Sequence, residues 1–365
     1  MARPAKALIN LQALRHNYQL AADLCAPGST LAVVKANAYG HGAVEVAKAL
    51  EPIVPAFGVA CIEEALELRD AGITLPILLL EGTFSAEEFS IASEQQFWLM
   101  LENETQFTAL ENAELNQKVK VWLKIDTGMH RLGLQPSDLS SVYERMSASK
   151  NVDEEIVIAT HFACGDELNR PETNTQIECL RTAIQNSTVP SNATVSMANS
   201  PGVLGWSEAR AEWNRPGFML YGCSPFAEPH AQADQLQAVM TLKSAVISLR
   251  DINVGERVGY AASWTAERPS KIATVAMGYG DGYPRTAVNG TPVIINGQRV
   301  KLAGRVSMDM ITVDVTDLSG VSVDDDVILW GDDLSVNEVA KAAGTIGYEL
   351  LARMPSRTPR QYVES

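Results

Sequence analysis

The sequence contains no long hydrophobic run. Its longest apolar stretches, such as residues 77–80, fall far short of the about 20 residues that a helix needs to cross a bilayer. Residues 1–10 include basic side chains but lack the apolar core of a secretion signal. We therefore expect a cytoplasmic protein without a membrane partner.

Cysteine, histidine and positive charge are also scarce. The 365 residues include five cysteines and five histidines, with no C-x-x-C pair and no spacing typical of metal ligands. This pattern predicts reduced thiols and no metal site. The 44 acidic residues outnumber the 29 basic ones, for a net charge of −15. A chain this acidic is a poor partner for nucleic acid.

What the sequence does have is a globular balance of 46% apolar and 20% charged residues, and a regular alternation of segments. Short, continuous apolar runs, typical of strands covered on both faces, alternate with amphipathic stretches. The runs are 31–35, 57–60, 76–80, 97–101, 119–125, 156–161, 194–198 and 217–221. About eight such repeats favour a (β/α)8 TIM-type barrel, although an open doubly wound sheet gives the same pattern.

The pattern changes near residue 230. The polar stretch 228–237 has no clear periodicity, and β-rich runs follow it. Asn296-Gly297, between two apolar runs, is a strong hairpin signal. We predict two domains, a barrel over 1–230 and a smaller, mainly β domain over 231–365.

Lys35 is the first candidate for chemistry. It ends an apolar run and is followed by A-N-A-Y-G-H-G. A lysine at the carboxyl end of a buried strand is costly unless it is paired or deprotonated, and active sites of such barrels lie at that end. A desolvated lysine there can form a Schiff base with an aldehyde cofactor, and a salt-bridged structural lysine is the alternative. The glycines favour the cofactor, because they let the backbone approach a ligand closely.

Residues 32–42 resemble the pyridoxal-phosphate attachment site of the alanine racemase family. The resemblance continues in family order through 121–133, 199–201, 214–217, 258–260, 278–285, 304–310 and 348–349. It implies a barrel followed by a β domain, pyridoxal 5'-phosphate as the cofactor, and the interconversion of L- and D-alanine.

The resemblance also implies two bases on opposite faces of the substrate. Lys35 would serve D-alanine and Tyr260 would serve L-alanine. Because a free tyrosine has a pKa of about 10, Tyr260 needs help, and His161 is expected to bridge it to Arg215. Arg215 is expected at the ring nitrogen of the cofactor. Since arginine only donates hydrogen bonds, that nitrogen would stay unprotonated, which suppresses transamination and decarboxylation. By themselves, the histidine and arginine could be structural.

Further roles follow from the same resemblance. Arg131 and the backbone N–H of Met308 would bind the substrate carboxylate. Lys124 would be carbamylated and orient Arg131, since two facing cations repel; an unmodified lysine reaching solvent is the alternative. The phosphate is expected to be held by the hydroxyls of Tyr39, Ser200 and Tyr348 and by the backbone of Gly217 and Phe218.

The entrance and the partner subunit complete the expected site. Tyr279 and Arg305 would line the entrance and restrict it to a small substrate. In this family Tyr260, Tyr279 and Met308 come from the neighbouring subunit, which implies a homodimer with shared active sites.

Three other functions remain to be weighed. A racemase for serine, lysine or a broader set of amino acids fits the same scaffold. An amino-acid decarboxylase is disfavoured, because it needs an acidic partner where Arg215 stands. A non-catalytic pyridoxal-phosphate-binding protein is disfavoured by the β domain that carries Tyr260. The sequence does not separate D-alanine supply for peptidoglycan from alanine catabolism.

Overall fold

Residues 3–364 are described by the computed structural model, and their first architectural unit is a closed barrel. The first barrel strand has two segments, Ser29–Thr30 and Ala32–Val33. The others are Phe57–Val59, Ile77–Leu79, Phe97–Leu101, Val121–Lys124, Val157–Ala159, Val195–Ser196 and Trp213–Asn214. Each strand pairs in parallel with its neighbour in the chain, and the last pairs with the first. This closure confirms the TIM-type barrel, because an open sheet would leave two edges unpaired.

Apolar and aromatic side chains fill the barrel interior. Leu31, Leu78, Met100, Trp122 and Val157 form one buried cluster inside the ring of strands. Near the amino-terminal ends of the strands, the rings of Trp98 and Trp213 lie 5.3 Å apart, and the Lys120 Nζ lies 4.6 Å from the Trp98 ring centre. Because these side chains fill the interior and the amino-terminal end of the barrel, a pocket can open at its carboxyl end.

Helices cover the outside of the barrel. They are Leu11–Cys25, Ala43–Leu50, Ile62–Asp70, Glu88–Glu94, Glu104–Asn112, Leu139–Ala148, Glu172–Gln185 and Ser200–Gly205. Gly72, which follows the third of them, has a left-handed φ of +92°, a conformation common just after a helix C-terminus. Short 3-10 turns occur at Pro136–Asp138, Ser207–Ala209, Phe218–Tyr221, Ala233–Gln235, Tyr260–Ala262 and Tyr279–Asp281.

One predicted strand is wrong. Residues 217–221 do not form the eighth strand; Phe218–Tyr221 is a 3-10 turn, and Trp213–Asn214 takes the strand position. The turn is fixed at its start by Ser200, whose hydroxyl accepts the backbone N–H groups of Gly217 and Met219. The apolar run is buried in the turn as it would be in a strand, so hydrophobicity alone did not separate the two.

The second unit is a mixed sheet of eight strands. In spatial order they are Ser270–Val275, Ile311–Asp314, Gln298–Leu302, Pro292–Ile295, Asp326–Trp330, Met240–Ile252, Lys6–Asn10 and Arg360–Val363. A small ladder joins Arg257–Val258 to Trp264–Thr265, and two helices, Val336–Ala342 and Gly347–Ala352, pack nearby. The mainly β character of this unit is confirmed.

Two details of this sheet bear on the predictions. Asn296 and Gly297 have φ values of +50° and +74° at the tip of a hairpin, as their sequence indicated. The strand Lys6–Asn10 was not expected here. It lies between Met240–Ile252, to which it is antiparallel, and Arg360–Val363, to which it is parallel. The first strand of the chain therefore joins the first and last strands of the β unit in one sheet.

No helix within residues 3–364 is long and apolar enough to cross a membrane. The five cysteines are free thiols. Within the same residues, no group of histidine, cysteine and acidic side chains could hold a metal ion.

Candidate active site

A cavity of about 560 Å³ opens at the carboxyl ends of the barrel strands. Ten of the residues that the sequence singled out line it: Lys35, Tyr39, Lys124, Arg131, His161, Ser200, Arg215, Gly217, Phe218 and Tyr348. They come from separate segments of the chain, and the parallel strands bring those segments to one edge. Tyr348 belongs to the helix Gly347–Ala352 of the β unit, so both units contribute to the wall.

Lys35 lies just beyond the carboxyl end of the first barrel strand, where the chain turns sharply. Residues 36–39 all have φ between 50° and 54°, a left-handed turn built without glycine. Each left-handed non-glycine residue costs about 1–2 kcal/mol, so the surrounding contacts must hold the turn. Glu64 is one such contact, because its carboxylate accepts the N–H of Ala36 at 2.6 Å and that of Ala60 at 2.8 Å. Asn37 is another, since its side chain accepts the N–H of Ala43 at 2.7 Å.

The surroundings of Lys35 lower the pKa of its amine. Burial lowers the pKa of Lys35 most strongly, and the guanidinium of Arg131 lowers it further. Glu81 and Glu64 oppose this by raising the pKa. A neutral amine is the form that attacks a carbonyl carbon, so this lysine suits covalent attachment of an aldehyde.

Ser200 and Gly217 form an anion cradle. The Ser200 hydroxyl accepts the N–H of Gly217 at 2.9 Å and that of Met219 at 3.2 Å, which leaves its own proton to donate. A Cβ on residue 217 would lie 2.5 Å from the Tyr39 hydroxyl, so glycine is required for that close approach. The hydroxyls of Ser200 and Tyr39 thus lie on one wall of the cavity, close to the backbone of Gly217.

Aromatic rings enclose this wall. Tyr348 stacks on Phe218 with ring centres 3.5 Å apart, and Tyr39 lies 4.8 Å from the ring of Tyr221. Burial raises the pKa of Tyr39 to about 12 and moves the pKa of Tyr348 upward as well. Both hydroxyls therefore stay protonated near neutral pH and can donate hydrogen bonds.

Arg215 is buried, and no carboxylate of residues 3–364 forms a salt bridge with it. Its guanidinium donates to the hydroxyl of Ser196 and to the carbonyl of Thr160, the latter at 2.6 Å. His161 faces Asn199, whose amide nitrogen lies 3.5 Å from its Nε2, rather than Arg215. Burial and the nearby charge of Arg215 move the pKa of His161 well below its ordinary value, so the imidazole is neutral.

Charge is unbalanced in the cavity. Within residues 3–364, four basic side chains line it (Lys35, Lys124, Arg131 and Arg215); Glu81 is the one carboxylate in the lining, and Glu102 pairs with Lys124 from outside it. Burying cations together without counter-ions is unfavourable. The cavity therefore suits an anionic ligand, and a phosphate, which carries nearly two negative charges, meets that requirement.

Four of the residues expected at the site lie outside this cavity. Tyr260, Tyr279, Met308 and Arg305 occupy the β unit, where the N–H of Tyr279 donates to Ser307 and that of Gly280 donates to Met308. The side chains of Tyr260, Tyr279 and Met308 are 68%, 41% and 52% exposed. All three residues are accessible to a second chain.

Three acidic residues near the cavity were missed from the sequence: Glu64, Glu81 and Glu102. Glu102 directly follows a barrel strand and Glu81 is two residues beyond one, positions that mark them as candidates once the strands are assigned. Glu64 lies on a helix, and its contact with the Lys35 turn has no sequence signal.

The fold and the cavity define a class of protein. It is a two-domain (β/α)8 barrel protein with a mainly β second unit and a cationic pocket that holds a strand-end lysine.

Comparison with known proteins specifies the family. Residues 9–225 match the model of the alanine racemase N-terminal domain, and residues 239–362 match that of the C-terminal domain. The chain is 50% identical to alanine racemase from Pseudomonas taetrolens and to catabolic alanine racemase from Pseudomonas putida, each over 99% of both chains. The chain therefore belongs to the alanine racemase family.

Solved structures agree with this assignment. The crystal structure of biosynthetic alanine racemase from Pseudomonas aeruginosa has a TM-score of 0.94 and 48% identity, and the match covers 99% of each chain. That of alanine racemase from Bartonella henselae with covalently bound pyridoxal phosphate has a TM-score of 0.90 and 33% identity, covering all of both chains.

Proposed function

We propose that this protein is an alanine racemase that uses pyridoxal 5'-phosphate to interconvert L- and D-alanine. The observation that carries the proposal is the desolvated Lys35 at a barrel strand end, in one cavity with Ser200 and Arg215. Family membership over the whole chain supports the same activity.

The residues present fit the cofactor. The surplus of cations and the Ser200–Gly217 cradle suit its phosphate, and Lys35 would hold its aldehyde carbon. Arg215, which donates and does not accept, would face the ring nitrogen. When bound, pyridoxal phosphate supplies a conjugated ring that delocalises the electrons left when the α-proton departs.

Two residues of the protein would move that proton. Lys35 would remove or return it on one face of Cα, serving D-alanine, and Tyr260 would do so on the other, serving L-alanine. Tyr260 is exposed and lies outside the cavity of its own chain. We therefore infer that it acts in the site of a partner chain, aided there by the neutral His161.

The same inference makes the active protein a homodimer. Tyr279 and Met308 share the exposed surface of Tyr260, and docking this surface over the partner's cavity would complete each site. There Arg131 and the N–H of Met308 would bind the substrate carboxylate. Tyr279 and Arg305 would narrow the entrance, which favours a small side chain such as that of alanine.

We place the enzyme in the cytoplasm, where its five free thiols stay reduced. Its product would serve either D-alanine supply for peptidoglycan or alanine catabolism. Relatives at 48–50% identity include proteins named for each role.

Racemisation assays across amino acids test the proposal. Purified protein with pyridoxal phosphate is incubated separately with L-alanine, D-alanine, L-serine and L-lysine, and chiral chromatography follows the enantiomers. We expect alanine to be converted in both directions and faster than the others. Faster conversion of serine or lysine would favour the broader racemase, whereas bound cofactor without α-proton exchange in deuterated water would indicate a non-catalytic carrier.

Borohydride reduction identifies the lysine that holds the cofactor. Reduction of the loaded protein followed by peptide mapping should place the pyridoxyl group on Lys35. A label on Lys124 would overturn this assignment.

A further inference from the structure

The turn that follows Lys35 packs against the C-terminal part of the chain. Gly40 and Gly42 in this turn have left-handed φ values of +78° and +100°. A Cβ on Gly40 would overlap the carbonyl oxygen of Leu351, and a Cβ on Gly42 would overlap the hydroxyl of Tyr362. Glycine at both positions therefore lets the turn lie directly against the last helix and the last strand.

Arg360, at the start of the last strand, binds the turn through its guanidinium. Its Nε donates to the carbonyl of Gly40 at 2.9 Å. Its other two nitrogens donate to the carbonyls of Met354, Pro355 and Thr358 at 2.8, 2.8 and 3.1 Å. Since all four acceptors are backbone carbonyls, this half-buried side chain fixes the turn to the segment that leads into the last strand.

Tyr362 makes a second contact with the same turn. Its hydroxyl donates to the carbonyl of His41 at 3.1 Å. The ring of His41 is fully buried, and its Nδ1 lies 3.0 and 2.9 Å from the carbonyl oxygens of Ala38 and Tyr39. Because both partners are acceptors, Nδ1 carries the proton and donates to them. Tyr362 therefore acts, through His41, on the part of the turn that carries Tyr39.

The two sides of the turn are held by different parts of the chain. Glu64 and Asn37, from the barrel, accept N–H groups of the turn, whereas Arg360 and Tyr362 donate to its carbonyls. The last strand is in place because it pairs in parallel with Lys6–Asn10. Left-handed non-glycine residues are unfavourable by themselves, so the conformation depends on both sets of contacts.

We propose that Arg360 and Tyr362 are positioning residues, which hold the turn after Lys35 in the conformation that binds the cofactor. Neither side chain lines the cavity, so both act through the backbone of the turn. The proposal rests on the proposed function, in which Lys35 and Tyr39 hold pyridoxal phosphate. Loss of these contacts lowers the fraction of molecules with a competent turn, and the apparent affinity for the cofactor falls with that fraction.

Titration of the apoprotein with pyridoxal phosphate tests this role. The absorbance of the bound cofactor gives the Kd. Tyr362→Phe removes one hydrogen bond and should raise the Kd about two- to tenfold. Arg360→Gln removes the whole fork of donors and should raise it by a larger factor.

Arg69→Gln and Tyr18→Phe are the matched controls. Arg69 is also half-buried and donates to three backbone carbonyls, on the outside of the barrel. Tyr18 is buried, and its hydroxyl donates to the carbonyl of Thr30 at 2.9 Å. Both controls should lower the free energy of unfolding in urea and leave the Kd unchanged, because neither side chain contacts the turn.

Hydrogen exchange in the apoprotein adds a readout that needs neither cofactor nor turnover. The amides of Ala38, Gly40, His41 and Gly42 donate hydrogen bonds within the turn. Their exchange should become faster in Arg360→Gln and Tyr362→Phe, while amides of the strand Val121–Lys124 keep their wild-type rates. If the wild type binds no pyridoxal phosphate, the proposed function fails, whereas unchanged exchange at the turn refutes the positioning role alone.

Two results of the titration would overturn the proposal. One is a wild-type Kd in both variants. The other is an equal rise of the Kd in Arg69→Gln and Tyr18→Phe, since the affinity would then follow overall stability. If Arg360→Gln does not fold, Tyr362→Phe, which loses a single hydroxyl, decides the question by both readouts.

Discussion

Replacing Ser200 by alanine should have two separate effects, one on the stability of the folded protein and one on its affinity for the cofactor. The hydroxyl accepts two buried N–H groups, those of Gly217 and Met219. Leaving a buried donor without an acceptor costs about 1–3 kcal/mol. The two donors together predict that Ser200→Ala lowers the free energy of unfolding of the apoprotein by about 2–6 kcal/mol, measured by urea denaturation.

The same substitution should weaken cofactor binding independently. Under the proposed function the free hydroxyl proton of the wild type would donate to the phosphate, and a hydrogen bond to a charged group contributes about 1.5–3 kcal/mol. Its loss corresponds to a rise of about ten- to hundredfold in the Kd of pyridoxal phosphate. Titration of the apoprotein, followed by the absorbance of the bound cofactor, measures this.

Ser93→Ala is the matched control. Ser93 is also buried, donates to the carbonyl of Gln117 and accepts its N–H at 3.1 Å, but it lies on an outer helix. It should lower stability and leave the Kd unchanged. Equal Kd values for Ser93→Ala and Ser200→Ala would refute the reasoning that Ser200 holds the phosphate.

Further predictions concern charge. Asp281 is fully buried between Arg3 and Arg357, which are both partly exposed. Asp281→Asn should therefore lower the free energy of unfolding by about 2 kcal/mol, a value reduced for that exposure. Asp317→Asn, at an exposed site, should change it by less than about 0.5 kcal/mol, and equal losses in the two variants would contradict this. Burial lowers the pKa of His41 to about 4. The unfolded state therefore binds the extra proton first, and stability should fall by about 3 kcal/mol between pH 6.5 and pH 4. In urea titrations this component should be absent from His41→Asn, and an unchanged pH slope would count against it. Arg215→Glu should permit protonation of the ring nitrogen and raise transamination while racemisation falls; an unchanged product ratio by chromatography would show that Arg215 does not hold that nitrogen.

The barrel could be predicted because its signal is local. Strands buried on both faces require continuous apolar runs, and seven of the eight predicted runs overlap barrel strands. The eighth prediction was wrong because residues 217–221 are buried in a 3-10 turn as they would be in a strand. The turn is stabilised by the hydroxyl of Ser200, which is distant in sequence. The pairing of Lys6–Asn10 with the β unit is likewise a long-range choice that five residues do not encode.

The cavity could be predicted in part. Lys35 was identified because its run and its glycines are adjacent in sequence. The left-handed turn after it was not foreseen, because Ala, Asn and Tyr carry no strong preference for that conformation and tertiary contacts such as Glu64 impose it. Glu102 was missed because no local signal shows that it lies beside Lys124. That contact depends on the register between two neighbouring strands, which becomes known only from their pairing.

Subunit mixing tests the central claim, a two-base racemase with shared sites, most directly. Two variants, Lys35→Ala and Tyr260→Phe, are each expected to be inactive, and they are mixed under conditions that exchange subunits. If each site takes Lys35 from one chain and Tyr260 from the other, a mixed dimer has one intact site. Random pairing makes half of the dimers mixed, so activity should return to about a quarter of the wild-type value. Verified heterodimers without alanine racemisation would contradict the account.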